Sequence, residues 1–348
     1  MNRRTWAIAA LAVLTTTHLW AIDILTRKSD GKKVNGTISA MSKTEVTLKK
    51  QIGEPETVPA NDIAAIDWDG APPGLKLAYG DEHGGRLEAA ATKYAAAKSD
   101  AKSPSAYLSA ELDYILARVN ARIALADPTK QAAAVQQLTA VQKSYSEHFR
   151  YYESVSILGQ LQLEMGEFAA ARTTFAQLAK APWSDYKLAA KIAAGRVLAG
   201  ENKLDDAVKE FEAAAAAATD SPADQARKYE AMLGQARALV AQSKFEDALK
   251  ILDVVTDKGP ADDSAVQAEG YVLQGNCLQS LGRTKEAALA YLHVDILFPQ
   301  ETAPHAEALY NLVKTWKLVQ LPDRSAEAEA KLVQNYPNSA WRKKLAEN

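Results

Sequence analysis

The residues able to do chemistry are few and far apart. His83, His148, His293 and His305 stand at no metal-ligand spacing, and His18 lies in an apolar N-terminal stretch. They read as surface or packing residues. Cys277 is the only cysteine, so no internal disulfide forms, and its setting suits a small buried hydrophobe better than a nucleophile. Asp67-Trp68-Asp69-Gly70 resembles the opening of a calcium loop, but the remaining ligands and the closing glutamate are missing, which leaves a turn. Glycine-rich phosphate loops, zinc-protease motifs and nucleophile elbows are absent from the sequence. Asn35-Gly36-Thr37 is a formal glycosylation sequon, of consequence only in a eukaryotic secretory pathway. With no acid, base and nucleophile converging, the sequence argues against an enzyme and calls for no cofactor or metal. A net charge of −2 gives no basic field, which argues against nucleic acid as a partner.

What the chain does carry is a pattern. One copy reads Leu158-Gly159, Gly166, Phe168, Ala171, Phe175 and Pro182; a second, Gly195, Leu204, Ala207, Phe211 and Ala214. A third reads Ala236, Phe245, Ala248, Leu252 and Pro260; a fourth, Gly275, Gly282, Ala287, Tyr291 and Pro299. The alanines Ala171, Ala207, Ala248 and Ala287 lie 36, 41 and 39 residues apart. A period in this range marks a solenoid of helix pairs, which buries its core only by stacking units. The small residue in each first helix admits its neighbour closely. The aromatic or leucine one turn beyond the alanine fills the gap, and the prolines end second helices. The low proline and glycine counts and 47% apolar residues suit packed helices.

These residues resemble the tetratricopeptide repeat family, well from about 149 to 299 and more weakly on the flanks. Gly85 to Tyr94, 105–145 and Ala306 to Pro337 read as further or atypical end units, about seven helix pairs in all. The resemblance implies a mainly α superhelical solenoid over 71–348 whose first helices line a concave groove for a protein or peptide partner. By the family's register, the residue after the small first-helix position faces that groove: Gln160, Arg196, Arg237 and Asn276. Two turns earlier stand Glu153, Ala189, Glu230 and Glu269. Such a groove suits a peptide backbone or acidic side chains. The competing view is a set of solvated faces tied by local ion pairs. Phe298-Pro299 and Tyr336-Pro337 resemble repeats of bacterial envelope proteins, without the coiled coil or lipidated cysteine of particular members.

The N-terminus reads differently. Asn2-Arg3-Arg4, the apolar run Trp6 to Val13 and the small Ala21 predict a signal peptide over 1–21, with a retained anchor as the alternative, and hence a periplasmic or secreted protein. The apolar run is too short to span a bilayer. Residues 22–70 alternate apolar and polar side chains around Ser29-Asp30-Gly31, and Gly36 suggests a bulge or sharp bend. This predicts a small SH3- or Sm-like β-barrel, joined to the helices by a linker at Asp69-Gly70-Ala71-Pro72-Pro73. The expected role is a non-enzymatic scaffold or adaptor; the alternative is a structural envelope protein that self-assembles into homo-oligomers.

Overall fold

A computed structural model describes residues 22–260 and 263–347. The expected signal peptide lies outside the described residues. Alternation of side chains between Asp23 and Asp67 gives five antiparallel strands: β1 (Asp23–Arg27), β2 (Lys33–Met41), β3 (Glu45–Lys49), β4 (Glu56–Pro59) and β5 (Ile63–Asp67). Their order is β4-β3-β2-β1-β5. Gly36 sits where β2 changes partner: it pairs with Asp23 of β1, while Thr37 pairs with Lys49 of β3. A Cβ at Gly36 would stand 2.6 Å from the Lys49 carbonyl oxygen, so the corner requires glycine.

The expected barrel is not closed. The two edge strands, β4 and β5, are joined by a 3-10 turn at Ala60–Asp62 and do not pair with each other. Pro59 has no amide hydrogen to donate, and the turn diverts the backbone that a closing ladder would need. Nor does the sheet swing on a linker. Leu25, Val46, Leu48, Val58, Ile66 and Trp68 share one hydrophobic core with Leu75, Tyr94, Leu108 and Ile115 of the helices. The connection is short and held: Asp23 accepts from the Ile38 and Asp69 amides, both at 3.0 Å.

The rest is seven antiparallel helix pairs and a closing helix. The pairs are α1 (Gly74–His83) with α2 (Leu87–Asp100), α3 (Ala106–Ala126) with α4 (Gln131–Ser144), and α5 (Tyr151–Glu164) with α6 (Phe168–Phe175). Then come α7 (Ser184–Gly200) with α8 (Leu204–Ala216), α9 (Pro222–Ala241) with α10 (Phe245–Lys258), and α11 (Ser264–Ser280) with α12 (Thr284–Leu297). The last pair is α13 (Thr302–Leu318) with α14 (Pro322–Asn335), closed by α15 (Ala340–Ala346). In most pairs the turn between helices contains one left-handed residue: Gly85, Gly166, Asn202, Ser243, Gly282 and Gln320, with φ between 60° and 74°. The α3–α4 connection is the exception, made by a 3-10 turn at Pro128–Lys130.

The four marker alanines are fully buried. Each small first-helix residue faces the ring or leucine sixteen positions on. A Cβ at Gly159 would lie 2.5 Å from Cε1 of Phe175, and one at Gly195 would lie 2.8 Å from Phe211. Where that partner is Leu252, the chain places Ala236 instead of glycine. Substituting Gly159→Ala is therefore expected to destabilise by about 1–2 kcal/mol, overpacking outweighing alanine's better helix propensity. In the Gly159→Ala/Phe175→Leu double variant, which copies the 236/252 pair, the two costs should sum to less than the singles. Urea midpoints of the four proteins test it, and strict additivity would contradict it.

Candidate partner-binding groove

Consecutive first helices touch along much of the stack: α3 on α5, α7 on α9, α9 on α11 and α11 on α13. Successive second helices fan apart and hardly meet. The first helices thus form the inner layer of a curved solenoid. Along that layer runs a ladder in which a polar side chain of one first helix reaches a glutamate of the next. Arg118 Nη1 donates to Glu153 at 3.1 Å, Arg196 to Glu230 at 2.7 Å, and the Asn276 amide to Glu307 at 3.0 Å. Arg237 pairs with Glu269. The sequence-derived set is brought together in this way, with Arg196–Glu230 and Arg237–Glu269 as direct partners. Asn276 also accepts from the Tyr291 hydroxyl at 2.7 Å and from Asn311 at 3.1 Å, which locks its amide.

Gln160 is the exception. It is exposed, and its register partner on α7 is Ala189, which offers no polar atom. At this step α5 and α7 hardly touch. A 3-10 turn at Leu178–Lys180 and the cluster of Tyr152, Trp183 and Tyr186, with ring centroids 5.5–6.0 Å apart, fill the space between them. The ladder therefore has an open, uncharged rung midway.

Arg196 and Arg237 keep 39% and 51% of their side-chain surface, so both remain open to a partner. Glu230 also accepts from Arg227 at 2.6 Å. Burial alone would raise its carboxyl pKa; the Arg227 and Arg196 charges overcome this and hold it below the ordinary value.

At the N-terminal end the ladder sinks into the core, which reading the sequence did not anticipate. Glu111 of α3 is fully buried. Arg150 grips it with two parallel bonds, Nε to Oε2 at 2.9 Å and Nη2 to Oε1 at 3.0 Å, and the Tyr79 hydroxyl donates at 2.8 Å. Arg150 also reaches Glu153 at 2.9 Å. Nearby, Glu82 accepts from Arg118 at 2.7 and 3.0 Å, from Arg122 at 2.9 Å and from Tyr94 at 2.6 Å. His148 stacks on Tyr114 at 4.5 Å, with Nε2 3.7 Å from Glu111. The periodic column itself was the available signal. Glu111, Glu153, Glu230, Glu269 and Glu307 fall at matching places in the first helices from α3 to α13, with Ala189 breaking the column in α7, and Arg118 stands where Arg196 and Arg237 stand.

The residues set aside as non-catalytic sit as follows. Cys277 is buried, which pushes its thiol up to about 11. His305 is buried between Asp295 at 2.9 Å and the Tyr336 hydroxyl at 2.7 Å, pinning the last pair to α12. His83 and His293 cap carbonyls of their own helices, both at 2.8 Å. Among the described residues no three His, Cys, Asp or Glu side chains gather as a metal site, and no helix is long and apolar enough to cross a membrane.

A tetratricopeptide repeat model matches 158–222, 192–263 and 233–302 in overlapping frames. The match runs from within α5 to the start of α13, and over that part of the chain the helix pairs follow the tetratricopeptide repeat pattern. Similar solved structures extend the solenoid likeness beyond them. A tetratricopeptide repeat protein from Parabacteroides merdae superposes with a TM-score of 0.50 at 18% identity, over 79% of this chain and 98% of that one. A Rap protein solved with competence and sporulation factor superposes at 0.53 and 14% identity, over 79% of this chain and 75% of that one. At these identities the likeness is one of fold. No curated protein matches the sequence.

Proposed function

We propose that the chain is an exported, non-enzymatic scaffold that holds an extended protein segment against the inner face of its repeats. The observation that carries this is a polar row at matching positions of four consecutive first helices: half-exposed or exposed Arg196, Arg237 and Asn276 on the ladder, with exposed Gln160 at its open rung. An extended segment needs backbone partners at intervals along its length, and a row of amide and guanidinium donors supplies them. That the Rap structure was solved in complex with competence and sporulation factor is in keeping with this use of the fold. Export rests on Asn2-Arg3-Arg4 and the apolar run after it.

The test is selection of binding peptides on the purified chain, followed by Arg196→Gln/Arg237→Gln. Affinity for the selected peptides is expected to fall at least tenfold. The melting midpoint should hardly move, because surface ion pairs contribute about 0–1 kcal/mol. Unchanged affinity would rule out this face as the binding surface.

Self-assembly is the competing reading, and one observation favours it. Leu289 and Ile296 on the outer face of α12 are 58% and 67% exposed, where α10 presents Lys250 and Asp257. Concentration-dependent size in solution would support it.

A further inference from the structure

Where α2 and α4 fan apart over α3, an opening of about 300 Å³ lies between the three helices. The unit two places along shows why it stays open. Counted from the buried alanines Ala90 and Ala171, Ala91 of α2 corresponds to Arg172 of α6. Counted from Arg118 and Arg196, Ile123 of α3 corresponds to Glu201 of α7. In that later unit Arg172 bridges the helices to Glu201 at 2.7 Å, and Lys203 joins Glu201 at 2.9 Å. Around the opening both bridging positions are apolar, so nothing spans the gap. Lys130, which stands where Lys203 does relative to Ala134 and Ala207, lacks that carboxylate and pairs with its near neighbour Asp127 at 3.0 Å.

The lining is of three kinds. Buried Ile123 and Ala134 form an apolar floor with Ala91 and Ala133. On one wall Asn120 donates to Gln137 at 2.9 Å, which leaves the Asn120 carbonyl and the Gln137 amide N–H groups without a protein partner among the described residues. Glu88 and Lys130 stand exposed at the rim, and the Glu88 carboxylate meets no donor among the described residues. We propose that the opening binds a small aliphatic zwitterion, a free amino acid of the leucine kind, with its carboxylate at Lys130, its ammonium at Glu88 and its side chain on the floor. The volume lies at the lower end of the range for ligand sites, which suits a molecule of this size. One rim charge of each sign matches a zwitterion, whereas a simple anion or cation would meet a like charge. The site lies away from the inner face, so it does not depend on the groove reading.

The probe is L-leucine, titrated against the purified chain and followed by ligand-observed NMR. N-acetyl-leucine amide, with the same side chain and no charge, is run alongside. L-Leucine should bind and the uncharged amide should not. Glu88→Gln/Lys130→Gln should weaken L-leucine at least tenfold. Ala91→Arg/Ile123→Glu copies the Arg172–Glu201 bridge into the opening, and it should abolish binding while the helical circular dichroism is kept. Absence of L-leucine binding, equal binding of the amide, or undiminished binding by either variant overturns the proposal. Should the bridge variant misfold, the rim variant decides alone, since both of its residues are exposed.

Discussion

Glu111→Ala should cost about 3–5 kcal/mol of folding stability, a larger loss than truncation of an exposed glutamate. The carboxylate is fully buried, and it answers Arg150 on the approach to α5 and Tyr79 on α1. Burial pushes its pKa up; Arg150 more than compensates, so the group stays ionised and below the ordinary glutamate value. Removing it strands one face of a buried guanidinium, whose remaining anionic partner is Glu153. The partner-deletion cost is the desolvation of that charge, not the net worth of the ion pair. Glu111→Gln keeps one acceptor oxygen, for Tyr79 and one arm of Arg150, and should cost less. Glu286→Ala, which breaks an exposed pair with Arg283, should leave the transition where it is. Denaturant melts of the three variants decide the matter. Glu111→Ala within 1 kcal/mol of wild type would mean that the buried network does not tie α1, α3 and α5 together.

The same network should give the protein an acid sensitivity centred on His148. Burial lowers this histidine to about 4, against the pull of Glu111 in the other direction; the nearby Arg150 also lowers it, while Glu153 raises it. The unfolded chain binds its proton near the ordinary value of about 6.5 and the folded chain only near 4, so between those values the unfolded state holds more protons. Stability is therefore complete above about pH 6.5 and falls as pH drops towards 4, by on the order of 3 kcal/mol across the window. Glu153 acts lower. Burial would raise it, but Arg150 and Arg118 hold it at about 2, so its contribution is lost between the ordinary glutamate value and pH 2. The two windows separate the groups. His148→Gln should be less stable at pH 7, since it loses the stack on Tyr114, yet should show a flatter profile between pH 6.5 and 4.5. A profile as steep as wild type in that interval would assign the sensitivity elsewhere.

Much of this was legible in the sequence because the repeat writes its packing rules locally. Gly159 with Phe175, Gly195 with Phe211, Gly275 with Tyr291 and Ala236 with Leu252 are compensating pairs, and the spacing of Ala171 to Ala287 carries through to seven helix pairs. The strands between Asp23 and Asp67 followed from alternation and turn chemistry. Closure of the barrel did not, because it depends on whether β4 and β5 meet, a long-range property that Pro59 and the following 3-10 turn decide. Register brought out Arg196 with Glu230 and Arg237 with Glu269, but not Glu307 and Arg118, the partners of Asn276 and Glu153, which lie outside the well-conforming units. Glu82 and Glu111 were not singled out in the sequence at all, and both are core. The sheet's shared core with α1 to α3 was equally hidden, since the Pro72-Pro73 connection reads as a linker whether or not the parts on either side touch.

Site-specific photocrosslinking in the source cells tests the central claim most directly. Benzoylphenylalanine at Gln160, in the open rung of the inner face, is compared with the same group at Lys209 on the outer face of α8 and at Thr47 on the sheet. The account predicts a discrete adduct with another protein from position 160 and none from 209 or 47. An adduct from 209 or 47 with none from 160 would contradict it and place recognition on the outer helices or the sheet.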